Sequence, residues 1–379
     1  MKCANMNKSL IDKLKKKEEK EMKKVLAVLL ASMMVVSMAA CGGDKKTETT
    51  KAAETTKAAE ETKKAEETKA AEETKAAEGD FVADVNGDGK IIVGYISKNL
   101  TDPFHGPINT SAEEKFDALK ADGTIDDWTG ILDGQTLPDV QINCAQDCIT
   151  KGCDFVFIAP AEAEASDPAV VQMADAGIHV IVFNSKTTST DEKAWVFSGS
   201  DDVYAGELLG TWVKDNCPDG GKYVHCNGIL GNSAQIQRTE GMHNILDPIS
   251  SFEMVADEDT QWSGEKAATA AENAIAKYGD ELVAIICDND DMSSAAQSAC
   301  NAQGRSDIIC VGVDGNQTPL QMVKDGELGA TVLQDGVGQL GAGIDAMVAA
   351  IKDGKVPADK NIMVDFVLVT KDNVDQYLK

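Results

Sequence analysis

Arginine is nearly missing from this chain: Arg238 and Arg305 are the only two among 379 residues. With 63 acidic against 36 basic side chains and a formal net charge of -27, no basic stripe is available to neutralise a phosphate backbone. Nucleic acid and anionic lipid headgroups would be repelled by such a surface, so neither is expected as a binding partner. Catalytic groupings are also lacking. No G-x-S-x-G and no His-based triad spacing occurs, and Asp290 and Asp291 are adjacent, so one of them points away from any shared carboxylate pair. The chain is not read as an enzyme, and no cofactor or metal is expected. Aromatics make up 5% of the residues, so each one beside a polar loop is informative.

Apolar runs long enough to span a membrane are absent too. The longest, Val25 to Ala40, follows a lysine-rich stretch and has 16 residues, short of the roughly 20 that a spanning helix needs. It closes on Met38-Ala39-Ala40-Cys41-Gly42, which resembles the lipobox of bacterial lipoproteins. That resemblance implies that residues 1–43 are a processing signal, that Cys41 is lipidated, and that the folded part is tethered outside the cytoplasmic membrane. Residues 44–80 repeat units such as KAAETT and KAAEET. A period of six lets equivalent positions wander around a helix axis, so no apolar stripe forms, and the segment reads as a solvated linker.

Eight cysteines remain in the folded part once Cys3 and Cys41 are set aside. Cys287 and Cys310 lie inside apolar runs, where cysteine behaves as a small buried hydrophobe. Cys144, Cys148 and Cys153 have a C-x3-C-x4-C spacing with no histidine nearby; packing is the favoured reading, with a disulfide or a metal site as alternatives. Asp84 to Ile91, DVNGDGKI, looks like the front half of a calcium loop. Its twelfth position is Tyr95 rather than a glutamate, so a turn entering the first strand is favoured over a partial calcium site.

From Lys90 onward, apolar strand-length runs alternate with helix-length segments. Strands are expected at Ile91 to Ile96, Asp154 to Ala159, His179 to Phe183, Tyr223 to Cys226, Leu282 to Cys287, Ile308 to Val313 and Ala330 to Leu333. Strands apolar throughout, joined by helices, predict an α/β fold with parallel sheets covered on both faces. Polar breaks at Ser198 to Asp202 and Gln334 to Val337 divide it into two lobes: 81–197 plus 335–364, and 198–334 plus 365–379.

Polar groups recur at the carboxyl ends of these strands, where open α/β sheets hold ligands. Asp102, Phe104 and His105 follow the first strand. Asn184, Asn232, Asn289, Asp314 and Gln334 follow later ones, with Arg238 and Trp262 near helix starts. Singly, each reads as an ordinary turn or cap residue. Converging on one cleft, short amides and carboxylates suit vicinal hydroxyls, and Phe104 and Trp262 offer flat faces to a sugar ring.

Seven ordered motifs then carry a resemblance: D-P-F at Asp102 to Phe104, VFN ending at Asn184, RTEG at Arg238, DTQW ending at Trp262, DNDDM around Asn289, GVDG around Asp314 and ATVLQD around Gln334. Lys90 to Lys379 is similar to the periplasmic sugar-binding proteins of ABC transporters, the type I fold of the ribose and glucose/galactose binders. The resemblance implies two Rossmann-like lobes on a multi-segment hinge and an aldose in the cleft, most simply a pyranose such as glucose, galactose or xylose. It also implies a monomer that delivers its monosaccharide to ABC permease subunits; presentation to a membrane receptor is the alternative. Asn232 and Ala234 stand where the glucose/galactose relatives have a histidine and an aspartate.

Overall fold

The computed structural model describes residues 81–379. The signal segment, Cys41 and the linker lie outside the described residues.

The chain enters through the DVNGDGKI turn, whose carboxylates are engaged by its own backbone. Asp84 accepts from the amides of Gly87 and Gly89, Asn86 from that of Asp88, and Asp88 from that of Lys90, at 2.7 to 2.9 Å. It continues as β1 (Ile92–Ser97), α1 (His105–Ala121), β2 (Asp127–Asp133), α2 (Pro138–Lys151), β3 (Phe155–Ile158), α3 (Asp167–Asp175), β4 (His179–Asn184), α4 (Thr190–Lys193) and β5 (Val196–Gly199). These strands form a wholly parallel sheet ordered β12-β5-β4-β3-β1-β2, in which β12 (Asn361–Met363) arrives from near the end of the chain. Successive residues feed opposite faces, as the two-residue period of a strand requires. Val93, Tyr95, Phe155 and Phe157 pack on one face with Phe116 and Leu340, whereas Ile96, Val156 and Ile158 pack on the other with Val170 and Met173. Each such fully buried side chain stabilises the fold by roughly 1.5–3 kcal/mol.

The second lobe runs through α5 (Asp202–Asn216), β6 (Gly221–Asn227), α6 (Ser233–Leu246), β7 (Phe252–Asp259), α7 (Gly264–Tyr278), β8 (Leu282–Cys287), α8 (Asp290–Ala302), β9 (Ile309–Val311), β10 (Val313–Asp314), α9 (Gln317–Asp325) and β11 (Ala330–Leu333). The expected single strand Ile308 to Val313 is broken in two. β9 closes the parallel sheet β7-β6-β8-β9, whereas β10 belongs to a second sheet, β10-β11-β13, with β13 (Val367–Thr370) antiparallel to β11. Gly312 is the break, and it passes so close to α8 that a Cβ there would lie 2.4 Å from the carbonyl oxygen of Asn289.

Between the lobes the chain crosses three times: after β5, from β11 into α10 (Gly336–Asp353), and from β12 to β13. The crossings lie side by side. Ser200 Oγ donates to the carbonyl of Val364 at 2.6 Å, Val364 N to Gly199 O at 2.8 Å, and Gln339 Nε2 to Ser200 Oγ at 2.7 Å. All eight cysteines of the described residues are free, and seven are buried in the packing.

Candidate functional site

The carboxyl ends of the strands in both lobes face one cleft of about 320 Å³. All ten residues singled out from the sequence line it, together with Lys98, Ser185 and Ala234.

On the first lobe, the loop after β1 is wound around Asn99. Its Oδ1 accepts from the amides of Thr101 and Asp102, and its Nδ2 donates to Thr136 Oγ1 at 2.9 Å. Asp102 in turn accepts from the Phe104 amide at 2.8 Å, so the acid and the ring are fixed relative to each other. The Phe104 ring rests on Gly336, where a Cβ would come within 2.7 Å of it, and meets His105 edge-on at 5.2 Å. Burial, opposed by Asp102 and reinforced by the Lys98 ammonium, lowers the His105 pKa to about 4, so this imidazole is neutral at physiological pH. Asn184 ends β4 with φ of 66°, a left-handed conformation that asparagine tolerates better than most residues, and donates to Gln339 Oε1 at 3.2 Å.

On the second lobe, Arg238 is 3% exposed and is engaged at each of its three nitrogens. Its Nε donates to Asp202 at 2.9 Å, Nη1 to the Asp288 carbonyl at 2.6 Å and Nη2 to Gln334 Oε1 at 3.0 Å. Burial raises the Asp202 carboxyl while the guanidinium opposes that rise. The Trp262 ring rests against Gly228, where a Cβ would collide with the indole; only glycine allows that approach. Asn289 caps α8 by accepting from the Met292 amide at 3.0 Å. Asp314, at φ of 146°, is pushed well above the ordinary carboxylate range by burial and then by Asp290 and Asp102. Asp290 is itself raised to about 6 by burial, although it accepts from Thr331 Oγ1 and from the amides of Gly315 and Asn316.

Asn232 lines the cleft, but both ends of its amide are taken. Oδ1 accepts from the Ala234 amide as the cap of α6, and Nδ2 donates to the carbonyl of Ala161 on the other lobe at 2.8 Å.

Beneath the site lies a buried charge network that the sequence reading did not identify. His225, inside β6, contacts Asp257 through Nδ1 at 2.9 Å and Asp288 through Nε2 at 3.1 Å. Burial alone would push this imidazole down, but the two carboxylates raise it to about 10, so it is a buried cation. It holds Asp288, whose other oxygen accepts from the Gly228 amide at 2.8 Å. The floor under Trp262 and the turn carrying Asn289 are thereby tied together. Lys98 is not among the sequence candidates; a lysine after a strand ordinarily keeps its charged end in water. The available signal was its place, two residues beyond an apolar run and four before Asp102.

The sequence model of the periplasmic binding protein domain matches residues 93–355. A xylitol-binding protein of Mycolicibacterium smegmatis is 30% identical over 60% of this chain, and the match spans 64% of that protein. A ribose import binding protein of Salmonella typhimurium is 28% identical over 76% of the chain and 93% of its own length. Among solved structures, an ABC transporter solute-binding protein from Bacillus halodurans with bound myo-inositol superposes with a TM-score of 0.68 at 27% identity, covering 77% of this chain and 98% of that one. With two parallel-sheet lobes meeting at a polar cleft and a family match over most of the described residues, the chain belongs to the periplasmic binding protein family.

Proposed function

We propose that this chain is an extracytoplasmic binding lipoprotein of a sugar ABC importer, anchored through Cys41, which holds a monosaccharide between its lobes and delivers it to permease subunits as a monomer. The sugar is an aldose, most simply a pyranose such as glucose, galactose or xylose. The observation that carries this reading is the pairing of two aromatic surfaces, Phe104 from one lobe and Trp262 from the other, with short polar side chains whose positions are fixed by neighbouring backbone and side chains. Flat apolar faces suit the C–H sides of a pyranose, and fixed amides and carboxylates suit its hydroxyls. The relatives named for ribose and for xylitol are named for polyhydroxylated ligands of similar size. Closure of the lobes about the three crossings would bring both walls onto the sugar and create the shape that a permease reads.

Titration calorimetry on the full chain against pentoses, hexoses, inositols, amino acids and nucleosides tests the class. A response confined to nucleosides or amino acids would overturn it. Within the class, Trp262→Ala is expected to weaken sugar binding by about tenfold or more, roughly 1.4 kcal/mol, with the melting transition retained. Unchanged affinity removes Trp262 from the site.

A further inference from the structure

The cleft wall carries donors without acceptors. Nε1 of Trp262 and Nε2 of Gln334 are both buried and have no hydrogen-bond partner among the described residues. The Lys98 side chain, 5% exposed, ends in the same cleft. Its ammonium makes no hydrogen bond or ion pair among the described residues and stands 5.2 Å from the centre of the Trp262 ring. Arg238 cannot relieve these groups, because a guanidinium has no acceptor to offer them.

Several acceptors on the same wall are already engaged. Asp102 Oδ1 receives the Phe104 amide, Asn289 Oδ1 the Met292 amide, Asn232 Oδ1 the Ala234 amide, and Gln334 Oε1 the guanidinium. The occupant must therefore bring acceptors for these donors. A hydroxyl brings both, and each of its protons needs an acceptor in turn; an acetal ring oxygen brings lone pairs and no proton. A carboxylate would also bring acceptors only. Asp102 is the first among the carboxylates whose charges bear on Lys98, and it opposes a further negative charge in the cleft.

Resting on the sugar-binding reading, we propose that Lys98, Trp262 and Gln334 make this site selective for neutral cyclic sugars, through the acceptor-only ring oxygen, over polyols of similar size in which every oxygen is a hydroxyl. Lys98 is the specificity-determining residue of the three, because its ammonium is the donor with most protons to place and it reaches across to the opposite lobe's indole. A buried donor left unmade carries its full desolvation cost, so an occupant that cannot satisfy these groups is rejected more strongly than its size would suggest.

The test is calorimetry on the full chain with three sets of probes: D-glucose, D-galactose, D-xylose, D-ribose and D-allose; xylitol and myo-inositol; and D-glucuronate and D-galacturonate. The expected result is that the best cyclic sugar binds about tenfold or more tighter than either polyol, and that neither uronate exceeds its parent sugar. Lys98→Met is expected to collapse that ratio to within about threefold. Trp262→Phe, which keeps the flat face and removes the Nε1 donor, gives a second measure of the same ratio should Lys98→Met fail to fold. A polyol bound as tightly as the best sugar, a uronate bound more tightly than its parent, or variants with an unchanged ratio would each overturn the selectivity while leaving sugar binding intact. Absence of binding by every probe overturns the sugar reading itself.

Discussion

His225 illustrates how a single side chain can hold a binding surface from beneath. Its two ring nitrogens face Asp257 and Asp288, and its pKa of about 10 lies above the ordinary 6.5. The stability contributed by such a raised group is fully present below pH 6.5 and is lost as pH rises through about 10. The melting temperature is therefore expected to fall as pH rises from neutral towards 10, and His225→Gln is expected to be less stable at neutral pH with a shallower fall. Parallel curves for the two proteins, measured by differential scanning calorimetry, would count against this role. Histidine in the middle of an apolar strand gives no sequence signal of that kind, because the partner carboxylates come from β7 and from the end of β8. Residues such as Asp102, Asn289 and Asp314 were legible for the opposite reason: each lies at or within five residues of the carboxyl end of its own strand, so chain order alone places it near the cleft.

Elements show the same division. Strands with continuous apolar runs, such as β3 and β8, are buried on both faces and could be drawn from sequence. The strands that were not drawn include β2, β7 and β12, each at a sheet edge. β2 is only partly buried throughout, and β7 ends in the acidic stretch AspGluAsp, because an edge strand has one side to protect from pairing. The break at Gly312 was hidden as well, since a glycine inside an apolar run does not reveal that the chain changes sheets there. Its closeness to α8 gives a direct test. Gly312→Ala would drive a Cβ against the carbonyl of Asn289, which carries the cap of that helix. The variant is expected to lose about 1–3 kcal/mol of stability and to weaken sugar binding severalfold, because Asn289 and Asp314 flank the displaced backbone. An unaltered denaturant midpoint would show that the strand break tolerates a side chain.

At the scale of the whole molecule, the lobes are joined by direct contacts that do not pass through the cleft occupant. Asn232 Nδ2 donates to Ala161 O at 2.8 Å, the Ala163 amide to Gly231 O at 2.8 Å and the Lys186 amide to Ser233 Oγ at 2.7 Å. These bonds favour the closed arrangement by themselves, and apparent affinity scales with the fraction of molecules able to close on the ligand. Asn232→Ala combined with Ser233→Ala is expected to enlarge the radius of gyration of the free protein in small-angle scattering and to weaken apparent affinity about threefold to tenfold, with faster release. A double variant as compact and as tight as the parent would show that closure does not draw on these bonds.

The three adjacent crossings have a further consequence for the order in which the molecule can be completed. α10 covers the face of the first sheet that carries Tyr95, Phe157 and Ile181, and β12 closes its edge beside β5. Both elements lie beyond residue 335, after the whole of the second lobe's parallel sheet. A chain emerging from its amino end thus carries the first sheet's aromatic face with α1 alone upon it until the second lobe's parallel sheet has been made, and each lobe is completed by a segment from near the end of the chain.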